Sequence, residues 1–341
     1  MTTTTDLPAL KPPTFAEIEE AAEAIKAVAI RTPLLENAEI SERMGGRLFI
    51  KAENLQRTGA FKIRGAYNRI RQLNDDERHR GVIAYSSGNH AQAVATAATI
   101  FETSAVIVMP ADAPETKINR TRQLGAEVIT YDRNKETREA VAEHIKAERN
   151  MVLVPPGEDG RVLAGGATVS REIFEDTNAM GVMLDTILTP CGGGGLTSTT
   201  AINAGEWSPD TQIYGVEPEL FDDTKRSLEA GRPVPNPKGR KTICDSIMTD
   251  KPGPLTFSIN QKHLNGVLTV TDDEVRMAMK VGFDAFKMVI EPGAAVGLAA
   301  VLAGKIETKG KAIAVVATGG NVDAAFFCEC YRLAQPTRWT Q

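Results

Sequence analysis

Between residues 81 and 154, short apolar runs alternate with helix-length segments, and this alternation restricts the chain more than any other feature. The run at 81–85 (GVIAY) reads as a buried strand, and those at 105–109 (AVIVM), 127–131 (EVITY) and 151–154 read as strands. An alanine-rich stretch ending at Phe101, a segment opened by Pro114, and 137–149 read as the helices between them. Parallel neighbours need a crossover of about a dozen residues or more, usually a helix, so the pattern predicts βαβ units and a parallel sheet covered on both faces. It resumes after Pro155-Pro156-Gly157. A helix is expected over 168–176, a strand at 184–188, a helix at 196–204 and a strand at 212–216. Further helices begin after Thr271 and after Glu291-Pro292-Gly293, and a strand covers 311–316. Upstream, residues 1–13 read as a polar lead. Thr14 and Glu17 then form a capping box for a helix whose Ile18, Ala22 and Ile25 share one face, and 47–53 is strand-like. The predicted class is α/β with two domains: a smaller one, 81–158, inserted in a larger one made of 1–80 and 159–341.

The 341 residues suffice for two domains, and the net charge of −5 argues against a nucleic-acid partner, which requires a basic face. No apolar run reaches the ~20 residues of a membrane span. The N-terminus lacks the basic region and apolar core of an export signal. Cys191, Cys244, Cys328 and Cys330 therefore read as reduced thiols, and a cytoplasmic location is expected. Cys328 and Cys330 have no second cysteine pair nearby to complete a zinc site.

Four stretches carry chemistry. In 58–66 (TGAFKIRGA), Lys62 follows Phe61 at a strand-to-helix transition. It reads either as a loop lysine or, if burial lowers its pKa, as an amine able to form a Schiff base. Gly192, Gly193, Gly194 and Gly195 lie between a strand and a helix, where backbone amides converge on a phosphate with help from the helix dipole. A flexible linker is the competing reading. The run fits neither G-x-G-x-x-G nor the G-K-[ST] of a P-loop, which disfavours a nucleotide. Ser87-Gly88-Asn89-His90 sits at a strand end and suits a carboxylate, unless Ser87 or Asn89 simply caps the next helix; His90 reads as structural. Thr318-Gly319-Gly320-Asn321 again joins a strand end, a hydroxyl and glycines, or forms a simple turn. Glu217 with Asp222 and Asp223 reads as a cation site or as a solvated acidic loop.

Taken in order, TGAFKIRGA at 58–66, SSGNHAQA at 86–93, CGGGGL at 191–196 and TGGNVD at 318–323 resemble the fold-type II pyridoxal-phosphate enzymes, in their serine/threonine dehydratase and serine racemase branch. The resemblance spans nearly the whole chain and looks like the short catabolic type without a C-terminal regulatory domain. It implies a two-domain, tryptophan-synthase-β-like architecture and pyridoxal 5'-phosphate as cofactor. Lys62 would hold the cofactor as a Schiff base and, once freed, remove the substrate Cα proton. Phe61 would lie against the pyridine ring and Asn89 would bond the phenolic oxygen. Gly192 to Gly195 and the Leu196 amide would hold the phosphate, and Thr318 would face the pyridine nitrogen. Ser87, Gly88, Asn89 and His90 would clamp the substrate carboxylate, with Ser87 protonating the opposite face in racemases. Arg138 matches a position near the substrate. Glu217, Asp223 and the Phe221 carbonyl match a site for magnesium, calcium or manganese. The implied reaction is dehydration and deamination of a β-hydroxy-α-amino acid of the serine or threonine type, by a homodimer acting on a free amino acid. Serine racemisation is the alternative outcome. The chain departs from the family at Ala60 (commonly serine), at Thr318 (commonly serine), at Cys244 and Ser246, and most of all over 154–168 (VPPGEDGRVLAGGAT). Gly157 and Gly166 there remove bulk, which implies a roomier pocket for an aryl or carboxyl β-substituent, as in phenylserine or 3-hydroxyaspartate.

Overall fold

The structure, a computed structural model, describes residues 11–335, so residues 1–10 of the expected polar lead lie outside the described residues. Its strands are β1 Leu34–Glu36, β2 Arg47–Lys51, β3 Val82–Tyr85, β4 Ala105–Pro110, β5 Glu127–Tyr131, β6 Val152–Leu153, β7 Thr186–Pro190, β8 Gln212–Pro218, β9 Gly266–Val270 and β10 Ala312–Val316. They form a four-stranded sheet ordered β5-β4-β3-β6 and a six-stranded sheet ordered β1-β2-β10-β7-β8-β9. Every pairing is parallel except β1 with β2.

The chain divides into two compact units. One comprises the chain up to Ala29 with Phe61–Gly166; the other comprises Ile30–Ala60 and the chain from Ala167 onward. In the first unit the apolar runs are continuous because both faces of the sheet are covered. Val82, Ala84 and Ile107 pack with Ile63, Ala66 and the alanines of helix Asn89–Ile100, while Ile83, Val106 and Val108 pack with Ala142 and Ile145 of helix Arg138–Arg149. The second unit is built on helix Pro292–Leu302, whose eleven residues are all buried. Gly297 lets that helix close on the sheet: a Cβ there would stand 3.4 Å from the Leu188 carbonyl oxygen.

The first unit takes in the chain up to Ala29, residues 61–80 and residues 159–166, all of which the sequence reading put in the larger domain. The cause is packing: Ile63, Ala66 and Ile70 of helix Lys62–Ile70 share a core with Ala91, Val94 and Ala95, and Val162 joins it. The stretch read as a loop up to 168 is helical from Gly160, in one helix Gly160–Ala179. Asp159 starts it, accepting from the Arg161 and Val162 amides at 2.8 and 3.2 Å while its other oxygen takes the Arg69 guanidinium at 3.0 Å. Its glycine at 165 and the facing Gly65 serve close packing. A Cβ on Gly165 would lie 2.4 Å from the Arg64 carbonyl oxygen, and one on Gly65 would lie 2.7 Å from the Val162 carbonyl oxygen. Strand β7 begins two residues later than the expected 184. Helices Asp223–Ala230, Pro254–His263 and Ala324–Leu333 were not anticipated, the last containing Cys328 and Cys330.

The two sheets share a topological device. In the first, the chain runs outward β3-β4-β5 and then returns to the far side of β3 as β6; in the second, it runs outward β7-β8-β9 and returns beside β7 as β10. Neighbouring strands whose connections leave in opposite directions open a crevice at their carboxyl ends, where α/β sheets bind ligands. The crevices lie between β3 and β6 and between β7 and β10.

Gly165→Ala should lower the melting temperature through overpacking of about 1–3 kcal/mol. Gly157→Ala, whose added Cβ would meet nothing within 4 Å, should leave it unchanged. Calorimetry of the two variants checks the pair, and equal melting temperatures would remove the packing explanation.

Candidate active site

The Ser87 loop follows β3, the glycine run follows β7 and the Thr318 turn follows β10, so these three motifs stand at the crevices. In the first unit, β3 ends at Tyr85 and leads through Ser86 and Ser87 to Gly88, the N-cap of helix Asn89–Ile100. No side chain caps this helix, so neither Ser87 nor Asn89 has the capping role allowed from sequence. The first-turn amides of any helix lack an intrahelical acceptor and are free to bind an anion. The Ser87 hydroxyl makes no hydrogen bond among the described residues.

Beside this loop, β6 runs into Val154-Pro155-Pro156-Gly157. The Lys62 amine donates to the Pro156 carbonyl at 2.8 Å. Desolvation by the surrounding protein lowers the Lys62 pKa to about 8, since burial penalises the ammonium. A neutral amine in this position donates one proton to Pro156 and keeps its lone pair. Lys62 is held by its position as first residue of its helix, with Phe61 as N-cap and the Phe61 ring centroid 5.1 Å from Nζ. Gly166 leaves space beside that ring: an added Cβ would rest 3.8 Å from Phe61 Cε2.

His90 is buried, and its Nε2 lies 2.8 Å from the Val154 carbonyl. A carbonyl only accepts, so Nε2 carries the proton. Burial first, then the nearby Lys62 and Arg138 charges, push the imidazolium pKa down to about 3, so the ring stays neutral. The structural reading of His90 fits this geometry, because it ties down the strand end whose next carbonyl but one receives Lys62. Arg138 opens its helix with its guanidinium 5.4 Å from the Tyr85 ring centroid at the end of β3. It also pairs with Glu139 at 2.7 Å.

In the second unit, Cys191 and the four glycines leave β7 and open helix Gly195–Trp207, which excludes a flexible linker. Gly194, the N-cap at φ +81°, requires glycine, and a Cβ on Gly192 would crowd Ile247 at 3.1 Å from its Cα. The Gly195, Leu196 and Thr197 amides precede the first intrahelical bond, from Ser198 N to Gly194 O at 2.9 Å. A bare-backbone turn at a helix N-terminus fits a phosphate monoester. Thr318 follows β10, is buried, and its hydroxyl makes no hydrogen bond among the described residues. Its turn is fastened on both sides: Glu291 N donates to Gly319 O at 3.0 Å, Gly320 N to Gly59 O at 2.9 Å and Asn321 Nδ2 to Thr58 O at 2.8 Å.

Glu217 and Asp223 are buried, which overturns the solvated-loop reading, whereas Asp222 is engaged by Arg226 at 2.8 Å. Glu217 accepts from the Thr224 and Lys225 amides at 2.9 and 3.0 Å, and Asp223 accepts from Asn236 Nδ2 at 2.7 Å. Desolvation raises Glu217 to about 8, with the Asp223 charge adding to it, and desolvation raises Asp223 to about 6. Among the described residues, no group of three or more histidine, cysteine, aspartate or glutamate side chains is arranged to hold a metal ion. Sequence reasoning missed Pro156, Tyr85, Asn236 and Thr249. Backbone carbonyls leave no residue-type signature, and the other three act through neighbours distant in sequence.

Two outcomes follow. Imine formation between the apo protein and pyridoxal phosphate should rise with pH about a midpoint near 8, because the amine reacts only when neutral, and should vanish in Lys62→Ala. A midpoint near the ordinary lysine value of about 10.4 would contradict the burial argument. The His90 ring protons should not titrate by NMR between about pH 5 and 8.

Comparison with known proteins agrees with this arrangement. The family described as "Pyridoxal-phosphate dependent enzyme" matches residues 25–319. The L-threo-3-hydroxyaspartate ammonia-lyase of Saccharomyces cerevisiae is 40% identical over 311 residues, covering 91% of this chain and 94% of the yeast protein. The serine racemase of Schizosaccharomyces pombe is also 40% identical over 311 residues, covering 91% and 95%. Among solved structures, a T.th. threonine deaminase superposes with a TM-score of 0.86 at 39% identity, covering 91% of this chain and 99% of that one. The chain belongs to the pyridoxal-phosphate dependent enzyme family and has the fold-type II architecture of its relatives.

Proposed function

We propose that the protein is a dehydratase, or ammonia-lyase, that converts a β-hydroxy-α-amino acid of the serine or threonine type to a 2-oxo acid and ammonia. The observation that carries this reading is the Lys62 amine, lowered to about 8 and held on the Pro156 carbonyl next to the Ser87 loop. Pyridoxal phosphate, when bound, supplies the electron sink that makes the substrate Cα–H acidic. Lys62 would hold the cofactor through its neutral amine and, once free, would take the substrate Cα proton. The Ser87 hydroxyl and the Gly88, Asn89 and His90 amides bind and orient the substrate carboxylate. Asn89 would bond the phenolic oxygen, Phe61 would lie against the ring, and Gly192, Gly193, Gly194, Gly195 and Leu196 would hold the phosphate. Thr318 presents a hydroxyl to the pyridine nitrogen. Unlike a carboxylate, it does not force that nitrogen to stay protonated, which favours rapid expulsion of the β-hydroxyl over transamination. Hydrolysis of the released enamine then gives the 2-oxo acid and ammonia.

Two observations favour specialisation within the same chemistry. Gly157 borders open space, and Arg138 stands against Tyr85 beside the Ser87 loop, where a second carboxylate would find a cation. The yeast relative's name specifies 3-hydroxyaspartate. The free Ser87 hydroxyl and the fission-yeast relative support racemisation as a side outcome. The reading also includes a cytoplasmic homodimer and a magnesium, calcium or manganese ion held by Glu217, Asp223 and the Phe221 carbonyl. Two buried carboxylates with raised pKa values are the support for the ion, because their shared charge is costly without a counterion.

A panel of serine, threonine, phenylserine and 3-hydroxyaspartate diastereomers, scored for 2-oxo acid and ammonia with chiral analysis of residual substrate, separates these outcomes. Turnover of at least one substrate should fall about 10³-fold or more in Lys62→Ala. Highest kcat/KM for serine or threonine establishes the main reading and removes the roomy-pocket one; highest kcat/KM for 3-hydroxyaspartate, lost in Arg138→Ala, does the reverse. Magnesium, calcium or manganese should raise the melting temperature of the parent enzyme and leave that of Glu217→Gln unchanged; no rise in the parent would remove the ion.

A further inference from the structure

Asn260 lies on helix Pro254–His263 and is wholly buried, yet neither Nδ2 nor Oδ1 of its carboxamide has a hydrogen-bond partner among the described residues. Native folds pair nearly all buried side-chain polar atoms with protein, water or a ligand, so an amide unpaired at both ends signals a missing partner. Its location says which kind. Nδ2 stands 2.5 Å from where a Cβ on Gly194 would sit, and Thr256, one turn earlier on the same helix, stands 3.5 Å from that point. Gly194 is the N-cap of helix Gly195–Trp207 and carries the only left-handed backbone in the glycine run. The carboxamide is therefore packed directly against the turn whose amides are the anion-binding element. Nothing in the helix requires it: asparagine is a weak helix former, and an apolar residue of similar size would fill the space without two unpaired polar atoms.

We propose that Asn260 is a further phosphate-binding residue, whose Nδ2–H donates to the cofactor's phosphate monoester directly or through one ordered water. The inference rests on the reading that the glycine loop holds that phosphate, and adds to it a side-chain donor from a separate helix. In the protein without cofactor the amide is a local cost. In the holoenzyme it becomes a contact. Asn260 thus acts on cofactor retention and not on the folding of the unit.

The test compares parent, Asn260→Ala and Asn260→Asp. Pyridoxal phosphate and pyridoxal, which lacks the phosphate, are titrated into each apo protein by the absorbance of the imine. Melting temperatures are taken for apo and holo forms, and phosphorus NMR is recorded on the holoenzymes. Asn260→Ala is expected to weaken pyridoxal phosphate binding about tenfold, to leave pyridoxal binding unchanged, to shift the phosphorus resonance, and to leave the apo melting temperature no lower than the parent's. Asn260→Asp keeps the shape but opposes the phosphate charge, so its loss should be larger; it decides the question if the alanine variant does not fold. Unchanged affinity for pyridoxal phosphate in both variants overturns the inference. So does an equal loss for pyridoxal and pyridoxal phosphate, or an apo destabilisation as large as the holo one, since those mark a structural residue. If the parent itself binds pyridoxal as tightly as pyridoxal phosphate, the glycine-loop reading fails and takes this inference with it.

Discussion

The hydrogen bond from the Lys62 amine to the Pro156 carbonyl gathers the constraints of the first unit into one place. An ordinary lysine is protonated at neutral pH and inert toward aldehydes; enclosure by protein is what makes this one reactive. That enclosure needs three supports. Helix Lys62–Ile70 must start where it does, and Gly65 and Gly165 must be glycine so that it can pack backbone to backbone on helix Gly160–Ala179. The Val154–Gly157 loop must hold still, which His90 secures through the Val154 carbonyl while Val154 N donates to Ile83 O at 2.9 Å. A neutral, buried histidine is well suited to this task, because it donates one proton without adding a charge beside the amine.

The second unit solves a different problem with the same topology. Three loops leave the carboxyl ends of β10, β7 and β8, which are neighbours in the sheet, and they carry Thr318, the glycine run and Glu217. The glycine run and the buried carboxylates are linked through Thr249, whose hydroxyl lies 3.3 Å from Asp223 Oδ2 and whose methyl would touch a Cβ on Gly193 at 4.0 Å. Thr249 thus stands between the acidic pair and the glycine turn at the carboxyl ends of β7 and β8.

Much of this was legible in the sequence for a physical reason. Continuous apolar runs reveal strands covered on both faces, as in β3 and β4; β5, an edge strand with no buried residue, also matches its expected position within one residue. The glycine run at the end of β7 leaves no room for side chains at two positions: a Cβ on Gly192 would crowd Ile247 and one on Gly194 would meet Asn260. What was not legible depends on partners remote in the chain. The role of Gly165 depends on Arg64, about a hundred residues away in the chain, whose carbonyl its bare backbone approaches. Glu217 and Asp223 looked solvated because charge usually is; their burial follows from the strand end and helix start that enclose them. Pro156 contributes a carbonyl, which every residue has. Asn260 has no motif around it at all, and only its unpaired amide singles it out.

The most direct test of the account is to reduce the holoenzyme with borohydride and map the labelled peptide by mass spectrometry. The account requires the pyridoxyl group on Lys62, in a single site. A label on any other lysine, or none on the 58–66 stretch, would contradict it.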